Sequence, residues 1–277
     1  MVPTEKLKDI SREIGCGIVA STTAAGSGHP GGSLSIKNVM AVLFFRFMNH
    51  DPSNPEWPDR DRFVLSKGHA APALYSTLAL AGYIKREELY TLRKLGSRLQ
   101  GHPSRNPEIM VEASTGALGN GFSMAVGMAL AARLDSKAYR VYAVLGDGEI
   151  QEGVVWEAAM LASYRKLDNL IAVVDRNGLQ LDGSVEGILS VEPLAAKWRA
   201  FGWHVIEADG ESVAELIKAF EAAIGVRGRP KVIIAHTTKG ESSSVMRWNK
   251  KYHGSVLDKG QCMQYMKENN CGGWDCR

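Results

Sequence analysis

Apolar residues recur at helical spacing near the start of the chain, with Leu7, Ile10, Ile14 and Ile18 on one face, and predict a helix from a Thr4 cap to about Thr23. A second helix, roughly Ile36–Met48, is nearly all apolar on one side and stops before the loop-forming run Asp51-Pro52-Ser53-Asn54-Pro55. Downstream the period changes. Short apolar runs at Arg62–Leu65, Val141–Leu145, Leu170–Val174, Val205–Ala208 and Val232–Ala235 predict strands, and helical patterns at Gly119–Leu134, Gly153–Leu167, Leu194–Phe201 and Val213–Ile224 are interspersed with them. The strand runs are continuous and β-branched rather than alternating, as strands covered on both faces require. The expected fold class is therefore α/β, a parallel sheet flanked by helices. No repeat or linker interrupts the pattern, so residues 1–257 are expected to form one domain. Residues 258–277 read as a C-terminal tail, loosely ordered around Asn269-Asn270-Cys271-Gly272-Gly273.

Charge excludes one class of partner. The 277 residues carry 33 basic and 30 acidic side chains, a net of +3, too balanced for a nucleic-acid-binding stripe. The longest apolar runs, such as Val39–Phe45, fall far short of the roughly 18 residues of a membrane span, and Met1–Lys6 leads into mixed charge without a secretory leader. A cytoplasmic protein is expected. Cys16, Cys262, Cys271 and Cys276 form no C-x-x-C pair, so free thiols in a reducing cytosol are expected rather than a zinc site.

In open parallel sheets, ligands sit beyond the carboxyl ends of the strands. Gly146-Asp147-Gly148 directly follows Val141–Leu145, and Asp175-Arg176-Asn177-Gly178 ends the next strand after one crossover helix. Adjacent parallel strands would then bring Asp147 and Asn177 to neighbouring tips. Mg²⁺ favours six oxygens; the Asp147 carboxylate, the Asn177 amide oxygen and a main-chain carbonyl near Leu179 supply three, leaving room for two diphosphate oxygens and a water. Ca²⁺ or Mn²⁺ would suit the same oxygen set. Gly148 lets the backbone approach a diphosphate closely. Alone, Gly-Asp-Gly is an ordinary strand-ending turn; the second tip at crossover distance is what makes it a site.

Four of the seven histidines lie beside glycine in loops: His29 in Gly26–Gly32, His69 in Ser66–Ala70, His102 in Gln100–Pro103, and His253 in Lys251–Gly254. Near neutral pH an imidazole can donate, accept and shuttle protons, which suits contact with both a phosphate and a sugar. His50, His204 and His236 lack that setting and read as structural.

Gly146-Asp147-Gly148, with Asn177 some thirty residues on, resembles the signature of thiamine-diphosphate enzymes. The flanks Gly148–Gly153, Trp156-Glu157-Ala158 and Asn177–Gly183 are similar to those of transketolases, and the resemblance runs from about Lys6 to Leu257. It implies the thiamine-diphosphate-binding fold, with the cofactor held through Mg²⁺ by Asp147, Asn177 and Leu179. By the same resemblance His69 contacts the diphosphate, and His29 and His253 bind the donor's carbonyl and hydroxyl and assist proton transfer. His102 holds the C1 hydroxyl of the transferred unit, and His253 also touches the cofactor. Gly116, Ala117 and Leu118, opening a long helix, would meet the aminopyrimidine and diphosphate, and Glu152 would couple two active sites through a carboxylate network. The implied activity is transfer of a two-carbon ketol unit from a ketose, usually phosphorylated, to an aldose, as in the pentose phosphate pathway. Transketolases have three α/β domains, of which this chain covers the first. The glutamate that activates the aminopyrimidine belongs to the second, so a partner chain of roughly 300 residues is implied, in an α₂β₂ assembly. The apolar segments Val39–Phe47 and Phe122–Leu130 are candidates for its docking surface, or for core.

Some residues depart from the pattern: Gly178, Ala117, Asn120 and the serine-rich, charged stretch Glu241–Lys251, which leave room for a substrate other than a pentose. Alternatives are a 2-oxoacid dehydrogenase α subunit, which would lack the His29 and His102 settings, and a deoxyxylulose phosphate synthase, normally a longer chain. A non-catalytic regulatory subunit is a further class. A plain dinucleotide-binding module would need a Gly-x-Gly-x-x-Gly turn after the first strand, which is absent.

Overall fold

The computed structural model describes residues 2–277. Its strands are β1 (Arg62–Leu65), β2 (Val141–Gly146), β3 (Leu170–Arg176), β4 (His204–Asp209) and β5 (Lys231–His236). They form one sheet, all parallel, in the order β1-β2-β3-β5-β4. The helices are α1 (Thr4–Ala25), α2 (Pro30–Leu34), α3 (Lys37–Val42), α4 (Ala71–Ala81), α5 (Asn120–Leu134), α6 (Gly153–Tyr164), α7 (Val185–Ile188), α8 (Leu194–Ala200), α9 (Val213–Gly225) and α10 (Lys259–Glu268). Each expected strand is present. Thr4 is the first residue of α1 rather than its cap, because Pro3 occupies the cap position. The second expected helix is α3 continued by a π-helical turn over Leu43–Phe47.

The strands read as continuous apolar runs because both faces are covered. Tyr142, Val144, Ile171, Val173 and Ile233 point into a core shared with α1, α3, α4 and α9. Val141, Ala143, Leu145, Ala172, Val174 and Ile234 point the other way, into a core shared with α5, α6 and α8. Each buried Val, Leu or Ile contributes about 1.5–3 kcal/mol over its exposed state, so the central strands are the most strongly fixed backbone in the molecule. Val39–Phe47, by sequence either docking surface or core, is core over Val39–Phe44, with residues 0–2% exposed, and half-buried over Phe45–Phe47. Exposed apolar side chains lie elsewhere: Met124 and Leu134 on α5, and Met160, Leu161 and Tyr164 on α6. No helix is long and apolar enough to cross a membrane among the described residues.

The cysteines overturn the expectation of free thiols. Cys16 pairs with Cys271 and Cys262 with Cys276. A partner 255 residues away leaves no spacing signature in a sequence. The tail is correspondingly ordered. Asp258 caps α10 through the N–H of Gln261, Trp274 donates to Glu13 at 3.0 Å, and the Arg86 guanidinium lies 3.6 Å from the Trp274 ring centre. Residues 258–277 therefore close over α1 rather than trailing from it. Reduction, or Cys271→Ser, is expected to lower stability by about 2–4 kcal/mol, the usual worth of a bridge that constrains the unfolded chain. Calorimetry with and without a thiol reductant checks this; an unmoved melting temperature would contradict it.

Candidate active site

Register places the first half of the site. Gly146 at the end of β2 pairs with Asp175 near the end of β3, so Asp147 emerges beside the turn Arg176–Gly178. One Asp147 carboxylate oxygen, Oδ2, accepts from the Gly178 N–H at 2.6 Å and from Arg176 Nη1 at 3.0 Å; the other, Oδ1, accepts from Gly148 N–H at 2.9 Å. Burial, then the neighbouring Asp175, raises the Asp147 carboxyl above its usual value, against the pull of Gly178 and Arg176. A cation there would favour the ionised form.

Asn177 is aimed by its neighbour. Its Nδ2 donates to Asp175 Oδ2 at 2.7 Å, which turns its Oδ1 the other way, toward the Leu179 N–H at 3.1 Å. Asp175 is fully buried and is itself the hub of a network. Its Oδ2 also accepts from Lys67 Nζ at 2.5 Å and Ser35 Oγ at 2.7 Å, and its Oδ1 accepts from Thr237. Burial alone would raise this carboxyl; the Lys67 ammonium and these hydrogen bonds bring it below the ordinary carboxylate value. Four segments thus converge on one side chain to present one amide oxygen.

Glu149 does the same for the loops. Buried at 2% exposure, it accepts from Ser66 Oγ at 2.5 Å, Gly119 N–H at 2.8 Å and Gly146 N–H at 3.0 Å. The end of β1, the glycine-rich opening of α5 and the tip of β2 are tied together by one carboxylate.

Asp147, Asn177 and Leu179 line one cavity of about 280 Å³ together with Lys67, His69 and Lys239. Lys239 is 1% exposed, and its Nζ reaches the Leu179 carbonyl and His253 Nδ1, both at 2.7 Å, with no carboxylate in a salt bridge to it among the described residues. Burial, then Lys67, lowers its ammonium to about 8. A buried cation held by a carbonyl and an imidazole suits an anionic ligand. The donor set fits a hard divalent ion whose remaining ligands come from phosphate and water: one carboxylate, one oriented amide oxygen and one carbonyl. No cluster of three His, Cys, Asp or Glu competes as a metal site among the described residues.

The four loop histidines form one cluster. His29 is central, its ring centre 5.5 Å from His69, 5.7 Å from His102 and 5.7 Å from His253. The approach needs small residues: a Cβ at Gly31 would come 2.6 Å from the Tyr252 carbonyl, on the turn that carries His253. Burial comes first in lowering each ring. Arg93 is next for His29, which falls to about 4, and for His102; Lys239 is next for His253, which falls to about 3; Lys67 is next for His69, which falls well below its usual value. At neutral pH all four are uncharged donor–acceptors.

The structure gathers His69, Leu118, Asp147, Gly148, Glu152, Asn177, Leu179 and His253 around that cavity. His29 touches it through the histidine cluster, and His102 faces an adjoining open cleft. Gly116 lies against His102, a Cβ there standing 3.5 Å from the ring; Ala117 is exposed and lines none of the cavity. Glu152 is exposed at the N-cap of α6 without a side-chain cap bond. The departures at Gly178 and in Glu241–Lys251 meet each other: Trp248, with φ 55, lies over Gly178, whose φ is 76, and a Cβ at 178 would come 2.7 Å from Trp248 Cη2. Lys67, Asp175, Glu149, Lys239 and Arg93 were not singled out by sequence. Lys67 and Lys239 each follow an apolar strand within three residues, the signal that exposed Asp147; Arg93 sits in an irregular segment with no such mark.

The chain is similar to known transketolases. The family model for the transketolase thiamine diphosphate binding domain matches residues 7–276. The 6-deoxy-6-sulfo-D-fructose transketolase subunit of a Clostridium species is 51% identical over 219 residues, covering 79% of this chain and 80% of that protein. An apulose-4-phosphate transketolase subunit of Phocaeicola vulgatus is 43% identical over 244 residues, covering 88% and 86%. The solved transketolase from Leishmania mexicana superposes with a TM-score of 0.90 at 33% identity, over 100% of this chain and 42% of that one. The chain thus spans less than half the length of that structure.

Proposed function

The chain belongs to the transketolase family and carries its thiamine-diphosphate-binding domain, and on that premise we propose that it is the cofactor-holding subunit of a two-chain transketolase. The observation that carries this is the convergence of two strand tips, Asp147 and Asn177, on a cavity that also holds two buried ammoniums and adjoins a cluster of neutral histidines. Asp147, the Asn177 amide oxygen and the Leu179 carbonyl would hold Mg²⁺, and Lys239 and His69 would face the diphosphate. Thiamine diphosphate supplies, when bound, the nucleophilic carbon that ketose cleavage requires. His29 and His253 would hold the donor's carbonyl and hydroxyl oxygens, with His102 on the C1 hydroxyl. Leu118 would back the cofactor ring.

A partner chain supplies the group that activates the aminopyrimidine. Two relatives of similar length are named as subunits, whereas the solved Leishmania enzyme is more than twice as long as the part matched. The exposed apolar side chains of α5 and α6 suit contact with that partner in an α₂β₂ assembly. The named substrates of those relatives are a sulfosugar and a sugar phosphate, so a ketose with an anionic end is the proposed donor.

The test is reconstitution. Ketol transfer is measured with the chain alone and with its C-terminal partner, thiamine diphosphate and Mg²⁺, across a panel of sugar phosphates and sulfosugars. The isolated chain is expected to be slower by about 10²-fold or more, since it lacks a whole catalytic group. Equal turnover without the partner would refute the proposal.

A further inference from the structure

His29 Nδ1 faces Arg93 Nη2 at 3.3 Å. A guanidinium carries only N–H donors and keeps its charge throughout the working pH range. The imidazole nitrogen must therefore accept, and a neutral ring that accepts at Nδ1 bears its proton on Nε2. Two further contacts set the guanidinium: Nη1 donates to Ser27 Oγ at 3.1 Å, and Nη2 lies 3.5 Å from the Gly101 carbonyl.

The backbone is bent to place it. Arg93 has φ 60, in the left-handed region that side chains resist, and its N–H is tied to the Leu99 carbonyl at 2.9 Å. Gly101 leaves the guanidinium its space, for a Cβ there would come 2.7 Å from Arg93 Cζ. The groups acting on the His29 ring are Arg93, His102 and Lys239, and the rings of His69 and His253 pack beside it. His253 repeats the arrangement, its Nδ1 2.7 Å from the Lys239 ammonium.

We propose that Arg93 is a positioning residue for ketol transfer, holding His29 Nδ1 as an acceptor so that the ring meets the ketose as an Nε2–H donor. Such a ring can bind a carbonyl or hydroxyl oxygen and steady negative charge gathering there. It cannot take a proton from substrate, because its one lone pair is already engaged by Arg93. The inference rests on the proposed transketolase function for the sugar's identity, not for the tautomer.

Two measurements test it. In the chain loaded with thiamine diphosphate and Mg²⁺, ¹⁵N spectra of labelled histidines report each tautomer, with His29→Asn identifying the His29 signal. His29 is expected as the Nε2–H form, and Arg93→Met is expected to convert it to a mixture. Gly101→Ala, which crowds the guanidinium without removing its charge, should do the same. In the assembly with the partner subunit, Arg93→Met is expected to lower kcat about 10²-fold while changing the ketose KM less than about threefold, the loss seen when one preorganised donor is disturbed. Arg93→Lys should recover part of it. Because the Arg93 cation lowers the His29 pKa, its removal lets the ring charge at higher pH, and the acid limb of kcat/KM should move up by about one unit. A His29 that stays fully Nε2–H in Arg93→Met, or an unchanged kcat and acid limb, overturns the inference. An assembly inactive as wild type, with the tautomer shift intact, overturns the transketolase proposal and leaves the Arg93 role standing.

Discussion

Asp147→Ala is expected to weaken thiamine diphosphate binding in the presence of Mg²⁺ by about 10²-fold or more, and to take ketol transfer by the assembled enzyme down at least as far. The substitution removes the only carboxylate of the proposed metal set and leaves Arg176 Nη1 and the Gly178 N–H without their acceptor, while Arg176 keeps Glu186 and Glu192. Asp147→Asn keeps the shape and one acceptor oxygen, so it should preserve the fold while still losing most of the affinity. Titration calorimetry of the cofactor, with and without Mg²⁺, separates the two effects. Unchanged, metal-dependent affinity in both variants would remove Asp147 from the site.

The second large effect lies one residue-layer deeper. Lys67 and Asp175 form an ion pair in which the side chains are 1% and 0% exposed. Removing one partner strands the other charge away from water, and Asp175→Asn or Lys67→Met is expected to cost about 3–5 kcal/mol. For a domain of this size that is a fall in Tm of about 5–9 °C, read by calorimetry. Lys67→Met combined with Asp175→Leu should restore part of the stability, yet activity should stay low. Without the Asp175 carboxylate the Asn177 amide loses the acceptor that fixes its nitrogen, and only the Leu179 N–H still holds its oxygen, so delivery to the metal is weakened. The sign of the pH effect follows from the lowered Asp175 carboxyl. The contribution is intact above the unfolded carboxyl value near pH 4 and is lost as acid titrates the folded one. A double variant with full activity would show that this pair serves stability alone.

What the sequence disclosed divides along a physical line. The strands were legible because burial on both faces writes an unbroken apolar run, and Asp147 and Asn177 were legible because each ends such a run and one crossover helix separates them. The four histidines stood out by their glycines. Lys67 and Lys239 stood at the same kind of strand end but were given no role, since a sequence does not show that a charge is buried. Glu149, which ties three segments together, carried no mark of its own, since a sequence does not show which backbone groups one carboxylate will gather. The disulfides join positions whose closeness exists only after folding, and the tail they fasten looked loose because its glycines and asparagines were judged without the helix beneath them. Val39–Phe44 could have been core or contact surface, and only packing distinguishes the two.

Gly178 and the stretch Glu241–Lys251, which carries Trp248, looked like two unrelated departures in the sequence. In space they are one fitting: the indole occupies the volume a side chain at 178 would claim. For an evolving lineage the two positions form a single trait. A larger residue at 178 arriving first would collide with the indole, and a smaller one at 248 arriving first would bare the turn beside Asn177. A change of substrate range achieved at this rim would therefore travel as a pair of replacements, each tolerated only in the company of the other.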